Sequence, residues 1–356
     1  MIAADQAANT GTTPVRHGYG FDEARLDGWM AAHIPGYAGP LAVAQFKGGQ
    51  SNPTYRLATP GRDYVLRRKP PGVLLKGAHA IEREARIFTA LGRTGFPVPH
   101  VHGLCDDETV IGTPFFVMDM VEGRIFWDAT LPEVERDARP AYFDAMSAVL
   151  ARLHGIDPQA IGLGDYGVAG NYFARQIARW SRQYLEDAQA GRDPDMDRLV
   201  EWLPAHIPEG GDVAIVHGDF RIDNLVFHPT EPRILAVLDW ELSTLGHPLA
   251  DFFYHAMMYH MPPHVVAGLA GADLPALNIP SEADYVAAYC RRTGRNGISE
   301  YGFYLAFNFF RLAAIFHGIK GRAMRGTASS FHARERAESF PVLANMGWQH
   351  AMRWRN

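Results

Sequence analysis

The sequence predicts an α+β chain of two lobes, a small antiparallel sheet with one key helix followed by a larger, mostly helical lobe. Three observations carry this. Short apolar runs bounded by Gly, Pro and Asn fill residues 41 to 121. One amphipathic helix, Ala80 to Leu91, interrupts them. From Glu133 onward the apolar period is helical, with one short β region inserted.

Met1 to Gly20 carries Asp5 and polar residues and lacks the basic-then-apolar order of a signal peptide, so it is expected as a disordered tail. Phe21 to His33 has helical spacing (Phe21, Leu26, Trp29, Met30) and is stopped by Pro35-Gly36. Leu41 to Phe46, Thr54 to Leu57 and Asp63 to Arg68 read as strands, the third closed by Pro70-Pro71-Gly72. Pro97-Val98-Pro99 is extended. Pro114 to Val121 is a dense apolar strand broken at Glu122-Gly123. The small lobe is therefore expected over 21–121 and the large lobe over 122–356. In the latter, Glu133 to Leu153, Tyr172 to Ala188, Met196 to Ile207, Pro248 to Tyr259, Glu282 to Arg292, Glu300 to Ile319 and Ala328 to Gln349 are expected helices. Val213 to Val216, Leu225 to Phe227 and Ile234 to Leu238 are expected strands. A ligand is expected in the cleft of such a plan.

Composition narrows the partners. At 356 residues and 47% hydrophobic, the chain has ample material for a core. A net charge of −5 gives no basic face for nucleic acid. No run of 18 apolar residues appears, so no membrane span is expected. Cys105 and Cys290 alone make no disulfide framework, which suits a reducing, cytoplasmic setting. Monomer and homodimer stay open. The aromatic run from Tyr301 to Phe316 reads as lobe core, because several faces of that helix are apolar.

The strongest chemical signal is His217-Gly218-Asp219-Phe220-Arg221-Ile222-Asp223-Asn224, followed 15 residues after Asn224 by Asp239-Trp240-Glu241 at a strand end. Phosphoryl transfer needs a carboxylate to take the attacking hydroxyl's proton, and oxygen ligands to hold magnesium against phosphates. H-x-D-x-x-x-x-N followed by Asp supplies both in one local hairpin. Asp219 is read as the base, Asn224 and Asp239 as metal ligands, and Arg221 as a γ-phosphate contact. Taken alone, His-Gly-Asp is also a common polar turn; the later Asn224 and Asp239 favour the chemical reading.

Glu84 lies on the apolar face of its helix with Ile81, Ala85 and Phe88, and a carboxylate aimed at a core needs a cation. Arg67, in phase with Val65, is the first candidate; Arg68 and Lys69 are rivals. Lys47-Gly48-Gly49-Gln50-Ser51-Asn52 is either a plain turn or a backbone cover for phosphates. Phe115 to Val121 is either a buried strand or a strand-to-hinge passage. Asp251 is either an N-terminal helix carboxylate or a brace for the catalytic loop, roles that can coexist.

With these residues in place, the chain resembles the aminoglycoside phosphotransferase-like family of the protein-kinase-like fold. Gly48 to Tyr55, Tyr64 to Gly72 and Ala78-His79-Ala80-Ile81-Glu82-Arg83-Glu84 look like the branch related to the phosphotransferase domain fused to some acyl-CoA dehydrogenases. The resemblance implies ATP (or GTP) and Mg2+ as cofactors. It places Arg67, Glu84, Asp219, Asn224 and Asp239 in the family's functional positions, with His217 and Asp251 supporting the loop. It also implies adenine contacts from the Asp119 carbonyl and Val121 amide; Gly48, Gly49, Ser51 and Asn52 are the candidate phosphate contacts from their loop's position before Arg67 and Glu84. Arg67, a bulkier forked donor, stands where aminoglycoside kinases and protein kinases carry Lys. Gly218 stands where protein kinases carry Arg. The expected activity is transfer of phosphate to a small-molecule hydroxyl.

The mix of His255, His260, His264, Arg291, Arg292, Arg311 and His317 after Asp251 suggests a neutral or anionic acceptor, and the branch suggests a hydroxyacyl-CoA. Two other readings stand beside the kinase: a non-catalytic nucleotide-binding module, and a metal hydrolase using His217, Asp219, Asp239, His247 and Asp251. The 16 histidines include no H-E-x-x-H or H-x-H cluster.

Overall fold

The computed structural model describes residues 10–48, 52–72, 80–263, 265, 267–326 and 333–353. The chain divides into two compact units. The first comprises residues 1–127, 159–163 and 222–242; the second comprises 128–158, 164–221 and 243–356.

The first unit is built on a six-stranded antiparallel sheet in the order β1-β2-β3-β4-β6-β5. Its strands are β1 (Thr12–Thr13), β2 (Ala42–Phe46), β3 (Thr54–Ala58), β4 (Asp63–Arg68), β5 (Val101–Cys105) and β6 (Phe115–Asp119). β1 falls within the stretch expected as a tail; Thr12 pairs with Phe46 and Thr13 with Gln45. β5 has no strand-like signature because Val-His-Gly-Leu-Cys lacks period-two patterning. Its Gly103 is needed, since a Cβ there would meet the Trp29 ring at 2.9 Å.

Alternation gives the sheet two faces. Tyr55, Leu57, Tyr64, Leu66, Phe115 and Val117 form one core with Leu26 and Met30 of α1 (Glu23–His33) and Ile111 of α3 (Glu108–Ile111). Asp22 caps α1 by accepting the Arg25 N–H at 3.0 Å. Val65 and Arg67 share the other face with their ladder partners Met118 and Phe116. There α2 (Ile81–Gly92) lies, with Phe88 6.1 Å from Phe116.

The same unit includes a second hairpin, β8 (Leu225–Phe227) with β9 (Ile234–Val237). Fully buried Trp240, just past β9, sets its edge against Phe96 at 6.0 Å and Phe88 at 6.5 Å. The Val237 N–H reaches the Pro97 carbonyl at 2.8 Å. These contacts explain why a hairpin that follows several helices in sequence belongs to the sheet unit. Gly123 lies against this hairpin: a Cβ there would meet the Phe227 carbonyl oxygen at 2.3 Å.

The second unit contains α4 (Arg139–His154), α5 (Tyr172–Glu186), α6 (Pro194–Ala205), α7 (Pro248–Ala256), α8 (Leu274–Leu277), α9 (Glu282–Thr293), α10 (Tyr301–Met324) and α11 (Ala333–Arg353). It also holds the strand pair β7 (Ala214–Val216) and β10 (Thr244–Gly246). α10 is the core helix. Phe303 and Phe307 meet Phe173 of α5 at 5.1 and 5.0 Å, and Tyr304 stacks on Phe253 of α7 at 5.3 Å. Its length and apolarity meet the requirement for a membrane span, but 89% of that stretch is buried, as in a core helix. α10 runs past the expected end because Gly318 and Gly321 admit α5 and its C-terminal residue: Cβ atoms there would meet Gln183 and Asp187 at 2.6 and 2.0 Å.

Candidate active site

The proposed site residues fall into two groups, each held within one unit. In the first unit the β8–β9 pairing sets Leu225 opposite Val237, and the Leu238 N–H bonds the Asn224 carbonyl at 2.9 Å. Asn224 and Asp239 therefore sit at the same end of one hairpin. Asp239 adopts φ 62°, a left-handed backbone that turns the chain just as the strand ends.

Arg67 joins this group from β4. Its Nε donates to Glu84 Oε2 at 2.8 Å and its Nη2 to Asp239 Oδ1 at 3.0 Å, with Glu241 Oε2 3.8 Å away. Strand parity removes one rival, since Arg68 points to the opposite face, its guanidinium over the Phe21 ring at 5.4 Å; Lys69 shares the parity of Arg67 but lies past the strand end and pairs with Glu82. Glu84 is 2% exposed. Burial raises its carboxyl to about 7; Arg67 pulls it down, but Asp239 and Glu241 push it up. Burial disfavours the charged Arg67 guanidinium, yet Glu84, Asp239 and Glu241 outweigh that and hold its pKa up. One permanent cation thus serves three carboxylates.

The remaining proposed nucleotide contacts are less defined. Gly49 and Ser51 lie outside the described residues. Gly48 is half-buried, and Asn52 is buried two residues before β3. Asp119 ends β6, where its N–H bonds the His100 carbonyl at 2.9 Å and its side chain engages Arg62 and His102. Val121 is half-buried just past that strand, which ends two residues earlier than its apolar composition predicts.

The second group is the loop after β7. Asp251, 2% exposed near the start of α7, accepts the His217 N–H at 2.7 Å and the Gly218 N–H at 2.8 Å. It also accepts from His154 Nε2 at 3.2 Å, while His154 Nδ1 meets the Tyr289 hydroxyl at 2.7 Å. Burial works to raise the Asp251 carboxyl, but these bonds win and hold it below the usual range. Asp251 therefore braces the loop, and the helix itself is capped by His247, whose Nδ1 accepts the Leu249 N–H at 3.2 Å. Gly218 has φ 83°, a turn that a side chain would strain. His217 is fully buried and accepts the Asp219 N–H on Nδ1 at 3.1 Å.

Asp219 is half-buried, and its Oδ1 accepts from the Tyr254 hydroxyl at 2.5 Å. Arg311 of α10 donates to the Gly218 carbonyl at 2.7 Å. Arg221 is half-buried, with its positive charge acting on Tyr254. Sequence reading missed Tyr254 and His154, and read Arg311 only as part of the acceptor mix. Only Tyr254 left a local signal: it is three residues after Asp251, on the same helical side.

Two expectations are corrected. Most of the polar residues after Asp251 are engaged by partners within the fold, so their presence no longer points to an acceptor. His255 bonds Tyr285 at 2.7 Å, His260 bonds Glu282 at 2.8 Å, His317 bonds the Gly191 carbonyl at 2.8 Å, and Arg292 pairs with Asp144. Arg311 is committed to the loop, and His264 lies outside the described residues. The hydrolase ligand set also dissolves, because the Asp251 oxygens are taken by amides and His154. Among the described residues, no group of three or more His, Cys, Asp or Glu side chains is placed to hold a metal.

Residues 42–297 match the model of the phosphotransferase enzyme family. The chain belongs to that family. Mouse acyl-CoA dehydrogenase family member 10 is 43% identical over 343 residues, covering 96% of this chain and 32% of that protein. Chicken acyl-CoA dehydrogenase family member 11 is 43% identical over 357 residues, covering 98% of this chain and 46% of that protein. The chain thus spans 32% and 46% of the length of these relatives. A solved structure from Ralstonia eutropha JMP134, provisionally named an aminoglycoside phosphotransferase, is 51% identical with a TM-score of 0.87, covering 94% of this chain and 99% of that one. A thermostable mutant of an aminoglycoside phosphotransferase, solved in ternary complex with AMP-PNP and hygromycin B, has a TM-score of 0.58 at 14% identity, covering 88% of this chain and 95% of that one. The phosphotransferase family thus comes with the kinase-like α+β fold expected from the sequence, and with the resemblance to the acyl-CoA dehydrogenase-linked branch.

Proposed function

We propose that this family member is an ATP- and magnesium-dependent kinase acting on the hydroxyl of a small molecule. The observation that carries the reading is Arg67, a buried cation joining Glu84 of α2 to Asp239 beside Asn224. The donor set suits magnesium: hard oxygens from Asp239 and Asn224, with Glu241 nearby. Magnesium in kinases takes one or two carboxylates and otherwise phosphate and water, so a dense all-protein cage is not required.

When bound, the ion supplies charge neutralisation for the phosphates. The chain's own residues do the rest. Asn224 and Asp239 would hold the ion, Arg67 would hold nucleotide phosphate, and Arg221 would offer positive charge to the γ-phosphoryl oxygens. Asp219 would accept the proton of the acceptor hydroxyl as the hydroxyl oxygen bonds the γ-phosphorus and the bond from that phosphorus to the ADP oxygen breaks. The nucleotide-analogue complex of a protein sharing this fold supports ATP as the donor.

For the acceptor we favour a hydroxyacyl thioester, on the strength of two relatives named as acyl-CoA dehydrogenase family members. Incubation with γ-labelled ATP, magnesium and a panel of hydroxyacyl-CoAs and aminoglycosides tests this. Label on a hydroxyacyl-CoA is expected; saturable transfer to aminoglycosides alone contradicts it. The Arg67–Asp239 ion pair favours a second reading, a nucleotide-binding module without turnover, since the cation sits on the proposed metal ligand. Turnover that disappears in Asp219→Ala excludes that reading.

A further inference from the structure

The proposed base is held by a residue outside the motif that contains it. Tyr254 is 5% exposed on α7, one turn beyond Asp251, and its hydroxyl donates to Asp219 Oδ1 at 2.5 Å. Arg311 of α10 grips both parts of this contact. Its Nη2 donates to the Gly218 carbonyl at 2.7 Å, and its guanidinium lies 5.1 Å from the centroid of the Tyr254 ring. The backbone on the N-terminal side of Asp219 and the tyrosine touching its carboxylate are thus tied to one cation that is 6% exposed.

This bears directly on proton transfer. A carboxylate rotates about its Cβ–Cγ bond, and a general base must hold one oxygen within hydrogen-bond reach of the proton it takes. We propose that Tyr254, clamped by Arg311, is the positioning residue for the Asp219 carboxylate: its hydrogen bond to Oδ1 fixes the rotation of the carboxylate about Cβ–Cγ. The role rests on Asp219 being the base of the proposed kinase. The phenol suits it, because burial first and the Asp219 charge second hold its proton on, so it stays a donor. The acceptor's proton passes to Asp219 and the Tyr254 proton stays on its own oxygen.

The test uses the full chain and magnesium-ATP alone, with water as acceptor and inorganic phosphate as readout. Tyr254→Phe removes one oxygen and keeps the ring under Arg311. Its kcat is expected to fall about tenfold or more, with KM for ATP within about twofold and the melting temperature within a few degrees of wild type. A purely structural tyrosine gives the opposite split, a lower melting temperature with unchanged kcat per folded molecule. Arg311→Met is expected to lower kcat as well, and the smaller Tyr254→Phe change keeps the test usable where Arg311→Met does not fold. Asp219→Ala separates the two levels. If it abolishes turnover while Tyr254→Phe matches wild type, the positioning role is wrong and the kinase reading stands. If Asp219→Ala keeps wild-type turnover, both are wrong.

Discussion

Replacing Asp251 with asparagine changes one carboxylate oxygen for an NH2 group at the point where two backbone amides converge. In the native chain the carboxylate accepts from the His217 N–H, the Gly218 N–H and His154 Nε2, at 2.7, 2.8 and 3.2 Å. An asparagine oxygen can satisfy one amide; the other then faces a donor. A buried N–H without an acceptor costs about 1–3 kcal/mol, and exchanging charge-assisted bonds for neutral ones adds about 1 kcal/mol. The expected loss is about 2–4 kcal/mol, or roughly 5–15 °C in melting temperature for a unit of this size. Because the freed amides belong to His217 and Gly218, magnesium-ATP turnover is expected to drop at least tenfold. Thermal denaturation followed by circular dichroism, paired with phosphate release at 25 °C, reads both. A melting temperature within about 1 °C of wild type together with unchanged turnover refutes the reasoning that Asp251 carries the loop.

The remaining predictions concern charge and burial. Arg67→Met leaves Glu84 buried without its cation and is expected to cost about 3–5 kcal/mol in urea denaturation; Arg67→Met with Glu84→Leu should recover most of it. If the double variant is as unstable as the single, the pair is not acting as an ion pair. Burial lowers His247 and His255 to about 4 and His350 to about 3. A folded pKa below the unfolded value of about 6.5 gives stability that is full above pH 6.5 and is lost as pH falls towards the folded value. Stability is therefore expected to decline from pH 6.5 to about 4, by at most about 3 kcal/mol for His255, and His255→Gln should flatten the slope. A melting temperature independent of pH across that window contradicts it. Trp240→Ala, which empties the contact between the β8–β9 hairpin and α2, is expected to cost about 3–5 kcal/mol. A loss below 1 kcal/mol would show that Trp240 does not anchor that hairpin.

Much of this was legible in the residues because local rules decide it. Period-two alternation placed Arg67 on the α2 face, and helical spacing turned Glu84 inward to meet it. The spacing of Asp219, Asn224 and Asp239 marked a loop and a hairpin, and the β8–β9 register then set Asn224 beside Asp239. What sequence could not reach depends on contacts far apart in the chain. Tyr254 to Asp219 spans 35 residues, Arg311 to Gly218 spans 93 and His154 to Asp251 spans 97. Beyond the helical spacing of Tyr254 from Asp251, no local pattern encodes such pairs. The same limit explains why His255, His260 and His317 read as acceptor contacts: their partners Tyr285, Glu282 and Gly191 lie on other segments.

Equilibrium binding and turnover of magnesium-ATP by the Asp219→Ala and Asp239→Ala chains test the central claim most directly. Asp219→Ala should bind the nucleotide within a few-fold of wild type and lose turnover by orders of magnitude, whereas Asp239→Ala should lose both. Wild-type turnover in either variant contradicts the account.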